Sequence, residues 1–432
     1  MSVVKKKFKE FATINPGQSP KSEFYSKEEG FPFLQGNRTF GILYPKIDTY
    51  TKKTTKIAPK GSILMSVRAP VGDLNIAHTD ICIGRGIAAI NAIDGNNTFL
   101  YYCLKYNINN LIKQGSGTTY NSVNKDIINE FKLIMPKDAY ERRLIGKILS
   151  SLDKKIELNN KINQKLEAMA KMIYDYWFVQ FDFPDANGKP YKSSGGKMVY
   201  SDELKREIPE GWGVDKLSNY INVERGISYK SRDLDSSGIP MINLNSFNLD
   251  GTYKVDGLKY FNGSYSDKKV AKVNDLLIAV TDVTRNADII GKSILLPDIF
   301  ETPVVYSMDV AKIIPTKSLD IYYFNMLFNS LHFHEFIKQF ASGTLVLHLD
   351  LKALSFYNIV VPPPRILEMF SDLRKSIEKK KSIIIKENLK FSKLRDWLLP
   401  MLMNGQVQVS EAANMVGEAL MAAEPKVEYG KG

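Results

Sequence analysis

Ser116-Gly117-Thr118 through Phe131-Lys132-Leu133-Ile134-Met135-Pro136, and Ser342-Gly343-Thr344 through Tyr357-Asn358-Ile359-Val360-Val361-Pro362, are two versions of one pattern. They run together without a gap at an offset of 226 residues. Each version leads into a long charged stretch. Upstream, Gly30-Phe31-Pro32-Phe33-Leu34 answers Gly238-Ile239-Pro240-Met241-Ile242 at an offset of 208, and Gly61-Ser62-Ile63-Leu64-Met65-Ser66-Val67 answers Asn274-Asp275-Leu276-Leu277-Ile278-Ala279-Val280 at 213. The drift is what loop insertions produce. A repeat of this length exceeds a solenoid unit and matches a domain plus its connector. Two similar domains in one chain imply a ligand with two similar but separate parts.

The long stretches after the repeats read as helices. From Asp138 to Phe178 there is no proline, and Leu152, Ile156, Asn159, Leu166 and Ile173 follow the spacing of a coiled-coil seam. Past Pro362-Pro363-Pro364, Ile377, Ile384, Phe391 and Leu398 recur every seven residues, and Asn388 falls on Asn163 at an offset of 225. Each seam needs a partner, and the simplest is the other seam, antiparallel. The expected architecture is mixed α+β: two similar globular α/β domains joined by two long helices forming an antiparallel coiled coil. The boundaries read as domain 1 over 1–136, helix 1 over 137–178, a polar linker over 179–207, domain 2 over 208–361, helix 2 over 362–404 and a tail over 405–432.

At 432 residues and 44% hydrophobic content the chain can bury ordinary cores. No apolar run is long enough for a bilayer and the N-terminus lacks the apolar core of a signal peptide, so a soluble cytoplasmic protein with no membrane partner is expected. Cys82 and Cys103 have neither the count for a disulfide framework nor CxxC spacing, and read as buried free thiols. The net charge of +12 favours a polyanionic partner. It is unevenly spread, at +8 over residues 1–136 and −2 over 179–361, so the second domain would bind a polyanion only through a local patch.

Several catalytic-looking patterns fail on their own chemistry. Gly291-Lys292-Ser293 lacks the glycine that a phosphate loop needs five residues earlier, where Asn286 stands. His332 and His334, two apart in a helical segment, face different directions rather than one metal. Asp185, with Glu203 and Lys205, imitates a metal-dependent nuclease, but lies in the polar linker without a core to fix the carboxylates. Neither an Asn-Pro-Pro-aromatic tetrapeptide nor a glycine-rich cofactor loop after a strand is present, so no catalytic residue and no metal ligand is assigned. Binding features are better supported. Gln114 to Ser122 is dense in small hydrogen-bonding residues, and only its Ser-Gly-Thr part recurs. Ser116, Thr118, Ser342 and Thr344 would hold the loop, while Thr119, Tyr120 and Asn121, where the copies differ, would read base edges; a plain turn explains the glycine equally well. Arg68, Arg85, Arg225, Lys230, Arg232 and Arg285 lie in or beside loops, as candidates for guanine or phosphate contacts or as ordinary surface salt-bridge residues.

Taken together, the arrangement resembles the specificity (S) subunit of Type I restriction-modification systems, from Met1 to about Gln408. The residues that carry the resemblance are Ile173-Tyr174-Asp175-Tyr176-Trp177-Phe178 closing the first helix, Ile208-Pro209-Glu210-Gly211-Trp212 entering the second domain, and Leu394-Arg395-Asp396-Trp397-Leu398-Leu399-Pro400 closing the second helix. Arg365-Ile366-Leu367-Glu368 departs from the acidic-Gln pair common in the family, which leaves the register at that point open. The resemblance implies two target recognition domains, each reading one half of a bipartite, asymmetric double-stranded DNA target. It also implies that the helices space the halves and dock two modification subunits, which bring S-adenosylmethionine and methylate adenine, and that restriction subunits join with ATP-driven translocation and Mg2+-dependent cleavage. No cofactor is expected in this chain itself. The rival readings are a metal-dependent nuclease working through the linker carboxylates, and a coiled-coil scaffold that does not bind DNA.

Overall fold

The computed structural model describes residues 2–115, 125–317 and 319–423. It divides into two units, residues 1–161 with 387–432, and residues 162–386. The helices are α1 (Asn97–Gly115), α2 (Lys125–Glu130), α3 (Ala139–Tyr174), α4 (Ile321–Asn329), α5 (Leu331–Ile337), α6 (Pro364–Met403) and α7 (Val409–Ala422).

In unit 1, Val3–Lys7 pairs antiparallel with Lys132–Pro136. A four-stranded antiparallel sheet runs in the order Ala12–Pro16, Ile87–Ala92, Ile63–Ser66, Leu74–Ile76. A five-stranded sheet runs Tyr25–Ser26, Tyr50–Thr51, Phe31–Leu34, Ile81–Ile83, Ile57–Ala58, with Phe31–Leu34 and Ile81–Ile83 parallel. Unit 2 repeats this element by element. Gly213–Lys216 pairs with Asn358–Val361, and a four-stranded sheet runs Ile221–Arg225, Val310–Pro315, Leu276–Ala279, Ser293–Leu295. Its five-stranded sheet runs Leu234–Asp235, Lys259–Phe261, Ile239–Ile242, Val304–Tyr306, Val270–Ala271, again with the third and fourth strands parallel. The central strands Ile63–Ser66 and Leu276–Ala279 are buried at every position, as expected of apolar runs covered on both faces.

One glycine pair shows how closely the repeat is kept. A Cβ on Gly17 would lie 2.3 Å from the Gly84 carbonyl oxygen, and one on Gly226 would lie 2.2 Å from that of Ser307. Backbone meets backbone there, so no side chain fits. The flanking bonds match too: the Gln18 amide donates to Ile83 O and the Ile227 amide to Tyr306 O.

Helix α3 starts where the Asp138 carboxylate accepts the Glu141 amide at 2.8 Å, an N-cap that satisfies one of the orphan donors. It passes into one wider turn, Asp175–Val179. Helix α6 opens on Pro364, whose missing N–H costs nothing at a first helical position. It closes at Gly405, φ +78°, with the Gln406 amide bonded to Met401 O. Each helix contributes to both units. In unit 1, Leu152, Ile156, Phe391 and Leu398 are buried in one core with Phe8, Phe99 and Tyr102. Arg395 pairs with Asp153, and Asn159 donates to Asn388 at 2.9 Å, so α3 and α6 run antiparallel there. In unit 2, Ile377 is buried and Leu166, Ile173 and Ile384 are partly buried. Arg374 pairs with Glu167 at 3.0 Å and with Glu378 at 2.9 Å, and Lys381 bonds to both carboxylates.

That cluster is pH-sensitive. Burial alone would raise the Glu167 carboxyl, but Arg374 and Lys381 outweigh it and hold it at about 2, against an ordinary 4.5. A depressed acid stabilises the fold fully above its ordinary pKa and ceases to do so as pH falls through the depressed one. Unit 2 should therefore lose about 2–3 kcal/mol between pH 4.5 and pH 2. Urea unfolding midpoints across that window should fall more steeply for wild type than for Glu167→Gln.

Two regions differ from the expected layout. The 179–207 stretch, read as a linker, is folded into unit 2: Met198–Ser201 and Arg206–Pro209 form a hairpin, and Phe183 stacks on Tyr191 and Trp212 at 4.7 and 4.9 Å. Aromatic burial overrides the turn-rich composition. The tail holds α7, which buries Ala412 and Val416 in the unit 1 core. Cys82 and Cys103 are both buried and free, and burial pushes the Cys103 thiol up to about 12.

Candidate nucleic-acid interface

In unit 1, at the C-terminal ends of the two parallel strands of the five-stranded sheet, glycines let three loops touch. Phe31–Leu34 continues into Gln35-Gly36-Asn37, and Ile81–Ile83 into Gly84-Arg85-Gly86. The Gly84 amide donates to Leu34 O at 2.8 Å, the Gly86 amide to Gln35 O at 3.2 Å and the Val67 amide to Gly86 O at 2.9 Å. The Arg85 amide donates to Ser19 Oγ at 3.2 Å. The result is a cleft of about 220 Å3 lined by Ser19, Gln35, Gly36, Asn37, Arg68, Ala69, Arg85 and Gly86. Arg68 and Arg85, seventeen apart in sequence, share it. Both are exposed, and among the described residues neither guanidinium has an acidic partner. Two unpaired forks beside amide side chains form a site for phosphate or for the acceptor edge of guanine. Ser19, Gln35 and Asn37 were not among the residues singled out from sequence; the glycines flanking Arg85 and beside Gln35 were the available signal. Ser116, Thr118, Thr119, Tyr120 and Asn121 lie outside the described residues.

The corresponding place in unit 2 has different chemistry. The strand offset of 213 puts Thr281 where Arg68 stands, and the matched amide bonds to Ile83 and Tyr306 put Met308 where Arg85 stands. Thr281 Oγ1 donates to Asp309 at 3.0 Å. The remaining candidates here sit on connected elements. The Met308 amide donates to Ile227 O, next to Gly226 and Arg225; the Val280 amide donates to Asp309 O; and the Leu349 amide donates to Val280 O. Thr281–Asp282 then pairs with Leu347–Leu349, which pairs with Ala341–Ser342. Arg225, Arg285, Ser342 and Thr344 therefore occupy consecutive strands and loops, all exposed. The loop carrying Arg285 is held by the buried Asp282 carboxylate, which accepts the amides of Thr284 and Ile289, both at 2.7 Å. Lys230 and Arg232 flank a short turn further along, where Asp233 accepts the Lys230 amide at 2.7 Å. Arg225 and Arg285 have no ion-pair partner among the described residues, and Arg232 lies 3.8 Å from Asp233.

The catalytic-looking groups are engaged locally. The Asp185 carboxylate accepts the amides of Asn187 and Lys189, and Glu203 accepts the Ser201 hydroxyl at 2.9 Å. His332 bonds to the Tyr357 hydroxyl at 2.8 Å, whereas His334 bonds to Ile290 O at 3.0 Å. Lys292 is buried, 3.4 Å from Asn329 O. Among the described residues no group of three or more His, Cys, Asp or Glu is placed to hold a metal.

A family model for the Type I restriction modification DNA specificity domain matches residues 2–168 and again residues 209–387. The chain belongs to this family. The family's role is DNA specificity, not catalysis. The two matches fall on the two copies of the strand pattern. The MjaIX specificity subunit of a Type I restriction enzyme from Methanocaldococcus jannaschii is 26% identical over 424 residues, 94% of each chain. The MjaX specificity subunit of the same organism is 41% identical over 160 residues, 36% of this chain and 37% of that one. The crystal structure of a Type I system S subunit from M. genitalium superposes with a TM-score of 0.58 at 15% identity, covering 93% of this chain and 96% of that one. In this specificity chain two of the motifs behind the resemblance pack on each other. Phe178, from the end of α3, lies 6.1 Å from Trp212 and 5.0 Å from Phe370. In the third motif, Arg395 holds Asp153, and Leu398 and Leu399 are buried in unit 1.

Proposed function

We propose that each unit reads one half of a bipartite, asymmetric DNA target, and that α3 and α6 space the halves and dock modification subunits. The observation that carries this reading is one framework used twice with different side chains at the same place: Arg68 and Arg85 in unit 1, Thr281 and Met308 in unit 2. Framework holds and loops read, so two unlike half-sites follow. Methyl transfer would then come from modification subunits carrying S-adenosylmethionine, and cleavage from restriction subunits using ATP and Mg2+. Docking is supported by an apolar face on α3. Ile162, Met169 and Met172, at steps of seven and three, are all exposed, and the exposed Tyr176 follows in the wider turn after α3.

Exchange tests the reading. Replacing residues 1–136 by the same domain of a relative should change one half-site, as mapped from methylated adenines, and leave the other intact. Each mismatched base pair in a wrong half-site costs about 1–3 kcal/mol of binding. Both half-sites changing, or binding losing sequence preference, would overturn it. Magnesium-dependent cleavage by the isolated chain, lost in Asp185→Ala, would favour the nuclease instead.

A further inference from the structure

At one end of unit 2, two loops present apolar side chains to solvent. Ala341–Ser342 and Leu347–Leu349 form a hairpin, with Ser342 opposite His348. Its tip carries Leu345, 89% exposed, and Val346. The neighbouring strand ends where Asp282 pairs with Leu347, and the next residue, Val283, is 69% exposed. Both loops are held in place, the first by its own backbone and the second by a buried carboxylate. Gly343 has φ +143°, and a Cβ there would lie 2.0 Å from Val346 O, so the turn closes on itself. The Asp282 carboxylate, fully buried, ties the second loop at Thr284 and Ile289. Ser342 and Thr344 flank the tip within the hairpin, and Arg285 lies two residues past Val283 in the second loop, with no acidic partner among the described residues.

Single exposed leucines are ordinary. Here the leucine crowns a held hairpin beside a second exposed aliphatic residue, with hydroxyls and an unpaired guanidinium at its flanks, in a unit assigned to DNA. The tip, residues 343–346, lies beyond the last residue pair that the third strand Thr281–Asp282 makes with the hairpin; a β-ribbon can enter the major groove, and there the only alkyl group on a base edge is the 5-methyl of thymine. Leucine makes no hydrogen bond, so no donor or acceptor on a base edge rewards it.

We propose that Leu345, with Val283 beside it, is a specificity residue of unit 2 that packs on the 5-methyl group of a thymine in the half-site this unit reads. The inference rests on the DNA-reading assignment above and names one contact within it. Ser342, Thr344 and Arg285 would hold the adjoining phosphates.

The test uses the chain assembled with its modification subunits and a target duplex mapped from methylated adenines, with each thymine of both half-sites replaced in turn by deoxyuracil. One replacement in the half-site of unit 2 should weaken wild-type binding about three- to five-fold, the effect of one buried methyl group. Leu345→Ala should bind the thymine and uracil forms equally at that position, keep wild-type responses in the other half-site, and keep the wild-type unfolding midpoint because the side chain is exposed. Leu345→Met should retain discrimination. If Leu345→Ala keeps the wild-type preference for thymine, or loses affinity equally for both forms, the contact is wrong; the second result indicates insertion between base pairs or a protein partner. If wild type shows no preference for the mapped duplex over a scrambled one, the DNA-reading assignment itself falls, which separates the two failures.

Discussion

Replacing Asp153 by alanine is expected to destabilise unit 1 by about 3–5 kcal/mol. The Asp153 side chain is 1% exposed, pairs with Arg395 and accepts the Tyr102 hydroxyl at 2.7 Å. Burial alone would make the Arg395 guanidinium easier to deprotonate, but the adjacent Asp153 carboxylate outweighs it and raises its pKa. Removing the carboxylate leaves a nearly buried cation whose other acidic partner, Asp396, is mostly exposed. An uncompensated buried charge costs more than the intact pair contributes, so Asp153→Leu combined with Arg395→Met should recover most of the loss. Tyr102 would keep an unpaired hydroxyl in both variants, which sets a residual cost of about 1 kcal/mol. Chemical denaturation of the single and double variants checks this. A single variant as stable as the double one would show that the pair does not hold α3 to α6 in unit 1.

The second large effect concerns target spacing. Matching insertions of four residues, one after Lys161 in α3 and one after Lys386 in α6, lengthen each helix by about 6 Å and leave both seams roughly in phase, since four residues are close to one turn. At about 3.4 Å per base pair, the engineered complex should prefer a target whose gap is one to two base pairs longer, with unchanged half-sites. Matching two-residue insertions rotate each seam by about half a turn and should impair folding or assembly. Binding to duplexes with graded gaps is the measurement. A folded four-residue variant that kept the original gap would show that something other than the helices sets the spacing.

The duplication, the strand-rich units and the two long helices were determined by the sequence itself, because they rest on local periodicity and on repeated turn chemistry. Offsets of 208, 213 and 226 match strands of the five-stranded sheet, the four-stranded sheet and the two-stranded pair of each unit, and the seven-residue spacing from Ile377 to Leu398 marks a helix. The pairing of the two helices was legible for the same reason, since each carries an apolar seam that needs a partner. What depends on residues distant in the chain was decided only by the tertiary structure. Turn-rich composition made 179–207 read as a connector, yet Phe183, Tyr191 and Trp212 stack into one group, and that burial outweighs local propensity. Helix α7 is placed by a core whose members include Phe8 and Phe99, some three to four hundred positions earlier in the chain. The same holds for the candidate site. Arg68 and Arg85 could be picked out singly as loop cations, but their shared cleft exists because the Val67 amide reaches Gly86 O and glycines admit Gln35. Side-chain type is local information, whereas which side chains meet depends on how non-local backbone bonds close the loops between them.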